Sequence, residues 1–517
     1  MIRAGLAFGL FAVSMQAMAA GGVTVTVRLA APDALEASYE LPAACSRLSF
    51  LKNGPSAARI RARWQSRDGC GTAAGDTLAR GAKSCGALRF KVPATSDKVA
   101  GYPGSFPVGQ ALYAHMSHYA VGPECGEVTY RYAGPATIRT AGRSFETGAP
   151  ADADAPALLF PSRQPADGVD YFDPALGAAA VAQIRSVAAG TTQYLKKAMP
   201  RAQYRRPIIA ATLAEEPGGP NIGGSAGDIL LLSLFNWPAD PEPRYRRQMN
   251  KLVAHEVSHR FQLRDAVDSY PDARLIHEGG AEFLRWSTSL RQGWLTTQQA
   301  AEELDDALAD CMLGASRPEY SCGLPAYVYA LAARQGQSAP IERIDRFYAQ
   351  LRLGARPEFA RAMECGEAAC TPRVLPAVLG GAARWAEALR ETGLATPQPP
   401  SQAQVDAMMV QAITELQQDD CAGGRSITPA PGRILLDTMR KCRTLRKDAT
   451  VVRAEGLPVF GGPDALPAVV AACTARQVVE LGLEDGSVLA MPCKAPYRPM
   501  TNVYAADIGK IMAALGL

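Results

Sequence analysis

The chain of 517 residues carries 54 Lys and Arg against 50 Asp and Glu, a formal net charge of +4. So even a balance excludes the strongly basic field that nucleic acid or an anionic membrane would select. Twelve cysteines, an even number, in a chain that is 48% hydrophobic point to a folded protein of two to four domains in an oxidising compartment.

Residues 1–20 read as a secretory signal peptide. Arg3 supplies the positive end, Leu6 to Val13 the apolar stretch, and Ala17-Met18-Ala19 the small-residue cleavage site. No cysteine follows that site, so a lipid anchor is not expected. Elsewhere no apolar run approaches the length needed to span a bilayer, Ile229 to Phe235 having that of a strand, and no membrane insertion is expected. The mature chain is expected to be exported, to the periplasm or the extracellular space.

From residue 21 to about 150, short alternating runs (Val23 to Leu29, Leu88 to Val92, Glu127 to Tyr132) are separated by Gly and Pro. They predict an antiparallel β domain stapled by Cys45, Cys70, Cys85 and Cys125, in any of three pairings. His115 and His118 stand here without further histidines or clustered carboxylates, and read as structural rather than as a metal pair. Residues 151–170, rich in Ala, Pro and Asp, read as a linker.

The next segment, 171–394, opens with a helix over Ala178 to Met199. Strands at Pro207 to Leu213 and Asp228 to Phe235 follow, with the glycine-rich stretch between them read as a loop. Then comes LVAHEVSHRFQLRDAVDSYPDARLIHEGGAEFLRW, residues 252–286. His255 and His259 are four apart, so on a helix both imidazoles can reach one metal ion. Glu256, between them, is placed to act as the base for a metal-activated water. Met249, Val253, Val257 and Phe261 supply the apolar row that half-buries this helix. Eighteen residues beyond His259 stands Glu278, assigned as the third ligand. Glu282, four further on, is assigned as acceptor for the free N–H of a ligand histidine. A helix starting near Ala273, capped by Asp272 and ending before Gly293, would carry both carboxylates. Gly279 and Gly280 would let it approach the histidine helix closely. A small sheet followed by two ligand helices is the thermolysin-like plan.

From Thr296 to Leu394 the pattern is helical, with Cys311 and Cys322, and Cys365 and Cys370, as local staples. Residues 395–403 read as a second linker. Residues 404–517 predict a small mixed α/β domain: a helix over Gln404 to Leu416, strands near Ala449, Gln477 and Ser487, and four cysteines (Cys421, Cys442, Cys473, Cys493) with open pairing. The fold class is therefore α+β and multidomain.

The run VAHExxH, eighteen residues, then E-G-x-A-E-aromatic resembles the gluzincin zinc metallopeptidases, specifically the M1 aminopeptidase and M61 glycyl aminopeptidase families. Val253, Ala254, His255, Glu256, His259 and Glu278 to Phe283 carry the likeness, which covers about residues 220–335. The resemblance implies an oxyanion-stabilising tyrosine, matched by Tyr320, although Cys322 stands where the families keep a lysine. It also implies a glycine-rich edge strand before the histidines, matched by Gly223 and Gly224 as a substrate strand. The usual acidic or amide residues that hold a substrate amino terminus are absent there; Asp228, Glu215 or Glu216 are the substitutes on offer. The M61 likeness further implies a PDZ-like tail, though no carboxylate-binding motif is present.

Together these readings predict a secreted peptidase with one Zn2+ per chain, acting on peptides or proteins in an aminopeptidase-like manner. A zinc endopeptidase is the alternative within enzymes. A non-catalytic envelope or binding protein on a gluzincin scaffold is the alternative outside them.

Overall fold

A computed structural model describes residues 22–53, 55–99, 102–109, 111–133, 138–140, 143–145, 149–160, 170–214, 220–227, 229–314, 318–334, 339–421, 427–436 and 442–517. The expected signal peptide and the candidates Glu215, Glu216 and Asp228 lie outside these residues. The chain divides into two compact units, one of Met1–Ile184 with Arg205–Arg246, the other of Arg185–Tyr204 with Arg247–Leu517. Both mix strands with helices, giving an α+β, multidomain protein.

In the first unit the alternation of Val23, Val25 and Val27 buries one face of strand Val23–Ala31. That strand is central in a six-stranded sheet ordered Ala149–Ala151, Val128–Ala133, Val23–Ala31, Ala34–Glu40, Ala87–Pro93 and Gln65–Ser66. Its pairing with Val128–Ala133 is parallel, so the expected purely antiparallel domain is in fact mixed. Parallel pairing needs a long crossover, and about a hundred residues of other strands supply it. Tyr39, Phe50, Phe90 and Tyr132 fill the core beneath this sheet. The disulfides pair Cys45 with Cys125 and Cys70 with Cys85. His115 and His118 are both buried; the His115 ring accepts from the backbone N–H of Ser117 and caps the short 3-10 turn Met116–His118.

The expected linker at 151–170 contains strand Pro156–Leu159, which pairs with Ala111–His115 in a second six-stranded sheet. Its Leu158 shares a core with Tyr113, Phe160, Tyr171, Ile208 and Ile229. The small four-stranded sheet therefore packs with the N-terminal sheets, and composition alone misplaced the boundary. Within that sheet Tyr171–Phe172, Ile208–Ala214 and Ile229–Phe235 run parallel. Ile229–Phe235 is buried along its whole length, as its unbroken apolar sequence requires of a strand covered on both faces. The glycine-rich stretch read as a loop is instead strand Asn221–Ser225, antiparallel to Ile229–Phe235 at the sheet edge. Gly223 and Gly224 are in its middle.

The second unit is a helical assembly with a C-terminal sheet. Strands Ile427–Ala430, Arg433–Leu436, Ala449–Ala454, Val478–Leu483 and Val488–Pro492 form an antiparallel sheet covered by helices Gln402–Asp420 and Ala465–Arg476. The chain then returns. Ala395–Gln398, expected to be linker, is a strand paired antiparallel with Val503–Ala506. Helix Ile508–Leu515 packs on helix Gly323–Ala332, so the tail is joined to the helical half by its own last elements. The remaining disulfides are Cys311–Cys322, Cys365–Cys370, Cys421–Cys442 and Cys473–Cys493. Among the described residues no helix is long and apolar enough to cross a membrane.

Candidate metal centre

The histidine helix spans Pro243–His259, with proline at a first-turn position where its missing N–H costs nothing. Met249, Val253, Ala254 and Val257 bury one side, and His255 and Glu256 are buried with them. The second ligand element departs from expectation. In place of a continuous α-helix from Ala273, a π-turn over Leu275–Gly279 leads into helix Gly280–Arg291. Such widened turns are concentrated at functional sites, because they re-aim one side chain without ending the helix. Here the widened turn carries Glu278.

Three atoms converge. His255 Nε2 and His259 Nε2 are 3.0 Å apart, and Glu278 Oε2 lies 3.3 Å from the first and 3.4 Å from the second. On the far side of its ring, His255 Nδ1 stands 2.8 Å from Glu282 Oε1. That carboxylate is held by Arg285, so it can only accept, and the His255 proton belongs on Nδ1. In the neutral imidazole, the form that binds a metal, His255 Nε2 therefore turns a lone pair toward the other two atoms. Glu278 Oε2 is buried and receives no hydrogen bond. A group of lone pairs facing one another at this range is stable only with a cation or proton among them. A tetrahedral divalent ion with bonds of roughly 2.0–2.2 Å sets its ligand atoms roughly 3.3–3.6 Å apart; the two sides to Glu278 have that length, and the His255–His259 side, at 3.0 Å, is shorter. His255, His259 and Glu278 could thus hold one metal ion. The other cluster of metal-ligating residue types among the described residues, Asp420 with Cys421 and Cys442, is occupied otherwise. Its cysteines are disulfide-bonded, and Asp420 accepts from the Thr444 and Leu445 amides.

Charge around the centre follows from burial and pairing. Burial opposes a charged His255, but the carboxylates of Glu278 and Glu282, one beside each ring nitrogen, outweigh it and raise its pKa to about 9 in the metal-free chain. Burial would raise Glu278 too, yet the two imidazoles hold it well below the usual carboxylate range. Glu256 moves the other way: burial and the neighbouring carboxylates raise it against the pull of both histidines. A carboxylate whose pKa is lifted accepts and returns a proton more readily near neutral pH.

Glu282 is tied to a wider network. Arg285, 1% exposed, donates to Glu282 and to Glu303, and Lys251 lies 2.6 Å from Glu303. Sequence reasoning named Glu282 and missed the two cations and Glu303. The i, i+3 spacing of Glu282 and Arg285 was a readable signal; Glu303, from helix Thr297–Met312, was not.

Two more residues at the centre went unnamed. The ring of His277 stacks on His259 at 4.2 Å, and burial lowers its pKa to about 3. Gln262 Oε1 lies 2.9 Å from His259 Nδ1, and its amide nitrogen donates to the His277 carbonyl.

The glycines serve a different approach from the one expected. A methyl on Gly279 would stand 2.8 Å from Gly323 Cα, so this glycine admits the N-terminus of helix Gly323–Ala332 rather than the histidine helix. At Gly280 it would strike the Gln262 amide and stand 3.0 Å from the Tyr327 hydroxyl. Tyr320, on the short helix Pro318–Ser321, brings its ring to 5.9 Å from that of His255. Tyr320 and Glu282 both line a cavity of about 720 Å³ that extends along Lys251, Glu302, Asp306 and Asp310. The cavity borders the centre without including the three ligands. Gly223 and Gly224 belong to the other unit, on its edge strand.

No family model and no characterised protein matches the chain. Among solved structures, an aminopeptidase N family protein from Idiomarina loihiensis is similar over 95% of this chain and 100% of its own, with a TM-score of 0.47 and 10% identity.

Proposed function

We propose that this chain is an exported zinc-dependent peptidase, aminopeptidase-like in its action. The observation that carries the reading is the convergence of His255 Nε2, His259 Nε2 and the undonated Glu278 Oε2 within 3.4 Å of one another, with buried Glu256 beside them.

His255, His259 and Glu278 would hold one Zn2+. When bound, zinc supplies Lewis-acid activation of water and of the scissile carbonyl. Glu256 takes the proton released as the carbonyl is attacked and passes it to the departing amine. Tyr320 donates a hydrogen bond to the oxyanion, an interaction worth about 3–4 kcal/mol when well placed. Glu282, fixed by Arg285, keeps the His255 proton on Nδ1. Gly223 and Gly224 are on a strand paired on one side only among the described residues, the kind of edge an extended peptide can lengthen. Six disulfides accord with export to an oxidising compartment.

The test is zinc content and cleavage of a mixed peptide library by the wild type and Glu256→Gln. Zinc bound by both, at about one per chain, with cleavage only by the wild type, is the expected result. Comparing free with N-acetylated peptides then separates aminopeptidase from endopeptidase. Zinc in both and cleavage by neither would favour a binding protein on a gluzincin frame. Absence of zinc from both would overturn the centre itself.

A further inference from the structure

We propose that Gln262 is a positioning residue for this centre: its amide fixes the proton of His259 on Nδ1 and ties the turn carrying Glu278 to the end of the histidine helix. The inference rests on the metal-centre reading above and adds a residue that the motif does not contain.

The orientation of the Gln262 amide is decided by its surroundings. One end lies 2.9 Å from the backbone carbonyl of His277, and a carbonyl only accepts. The nitrogen must face that carbonyl, so Oε1 faces His259 Nδ1 at 2.9 Å. An amide oxygen in turn only accepts, which places the His259 proton on Nδ1 and a lone pair on Nε2. Both imidazoles are thereby set in the same tautomer, one by the carboxylate of Glu282 and the other by a neutral amide. With an amide on one histidine, the centre gains no further negative charge from its supports.

The second arm acts on Glu278. A π-turn departs from the regular i to i−4 ladder, and side-chain donors reach two of its carbonyls. Tyr327 donates to Ile276 at 2.7 Å and Gln262 to His277. His277 directly precedes Glu278, so Gln262 spans the two ligand-bearing elements with a single side chain. Gln262 is itself buried, and its niche exists because position 280 has no Cβ to collide with the amide. The second glycine of the HEGG run is thus accounted for by Gln262.

Three variants of the full mature chain test this: Gln262→Met, of similar shape with neither arm; Gln262→Glu, keeping an acceptor for His259 while losing the donor; and Gly280→Ala, which crowds the amide from outside. Zinc affinity is read by competition with a chromophoric chelator, and the tautomer of His259 by nitrogen NMR of the metal-free chain at alkaline pH. The methionine variant is expected to lose about 10–100-fold in zinc affinity, the glutamate variant less, and the alanine variant in the same direction. His259 is expected to carry its proton on Nδ1 in the wild type and to lose that preference in Gln262→Met. A folded methionine variant with wild-type affinity, or a wild-type His259 protonated on Nε2, overturns the proposal. Should the methionine variant fail to fold, the wild-type tautomer and the Gly280→Ala affinity decide it. If the wild type binds no zinc, the metal reading fails, while the tautomer measurement still decides the role of Gln262.

Discussion

Glu282 meets His255 with one carboxylate oxygen, at 2.8 Å from Nδ1, and the guanidinium of Arg285 with the other. Arg285 also binds Glu303, so a single buried cation holds one buried and one half-buried carboxylate in place. Replacing Arg285 with methionine would leave Glu303 to Lys251, and Glu282 to His255 and to the half-exposed Lys251 at 3.9 Å. Breaking a buried pair by removing one partner costs about 3–5 kcal/mol. Urea unfolding of Arg285→Met is expected to show a loss of that order with an unchanged denaturant slope. Lys251→Ala, at the exposed end, should lose less than about 1 kcal/mol. Equal losses in the two variants would show that the network is not centred on Arg285.

Gly279 and Gly323 touch backbone to backbone, and neither has a flexible side chain that could yield. On helix propensity alone, Gly279→Ala should gain about 1 kcal/mol. Forcing the two backbones apart works against this by about 1–3 kcal/mol and displaces the turn bearing Glu278. The expected outcome is net destabilisation in thermal unfolding together with weaker zinc binding. A stabilised variant would mean that the contact relaxes freely.

The centre was legible where its logic is local. The i, i+4 histidines and the i, i+4 carboxylates both follow from helix periodicity, and the structure brings the four side chains together: His255 reaches Glu278 with one nitrogen and Glu282 with the other. Gln262 was hidden because its i+3 relation to His259 crosses a helix end, where periodicity no longer predicts neighbours. The fold was least legible where distant segments pair. Ala395–Gln398 has the composition of a linker, yet it is a strand because Val503–Ala506 returns to meet it. Asn221–Ser225 has glycines that depress local strand preference, and pairing with Ile229–Phe235 overrides them. Val23–Ala31 alternates as expected, but alternation carries no information about a parallel partner a hundred residues away.

Asp305 gives the fold a pH dependence away from the metal centre. Burial, opposed by a hydrogen bond from the Ala506 amide, raises its pKa from the ordinary 3.8 to about 6. The folded state then holds a proton that the unfolded chain has already released. Its stabilising effect is complete at acidic pH below the ordinary value and is lost as pH rises through about 6. Asp305→Asn keeps an oxygen for the Ala506 amide and cannot ionise. It is expected to raise the melting temperature above pH 6 and to change it little near pH 4. Melting curves of both proteins across this range check the sign, and a variant less stable than wild type at neutral pH would refute it.

Tyr320 is separable from the three proposed metal ligands by experiment. It approaches His255 from a different helix, and the Cys311–Cys322 bridge, eleven residues in separation, closes the segment that contains it. A hydroxyl that acts only on the oxyanion contributes nothing to metal affinity. Tyr320→Phe is therefore expected to bind zinc like the wild type while kcat falls about 10²–10³-fold. The double variant Cys311→Ser, Cys322→Ser should lose about 3 kcal/mol of stability, from loop entropy returned to the unfolded chain. Where it remains folded it should also lose turnover in preference to zinc, because the segment that the bridge closes contains Tyr320 and none of the three proposed ligands. Zinc titration and steady-state cleavage on the same preparations check both. If Tyr320→Phe cleaves at the wild-type rate, the oxyanion donor is another group, and the role given to Tyr320 by its place beside His255 is wrong.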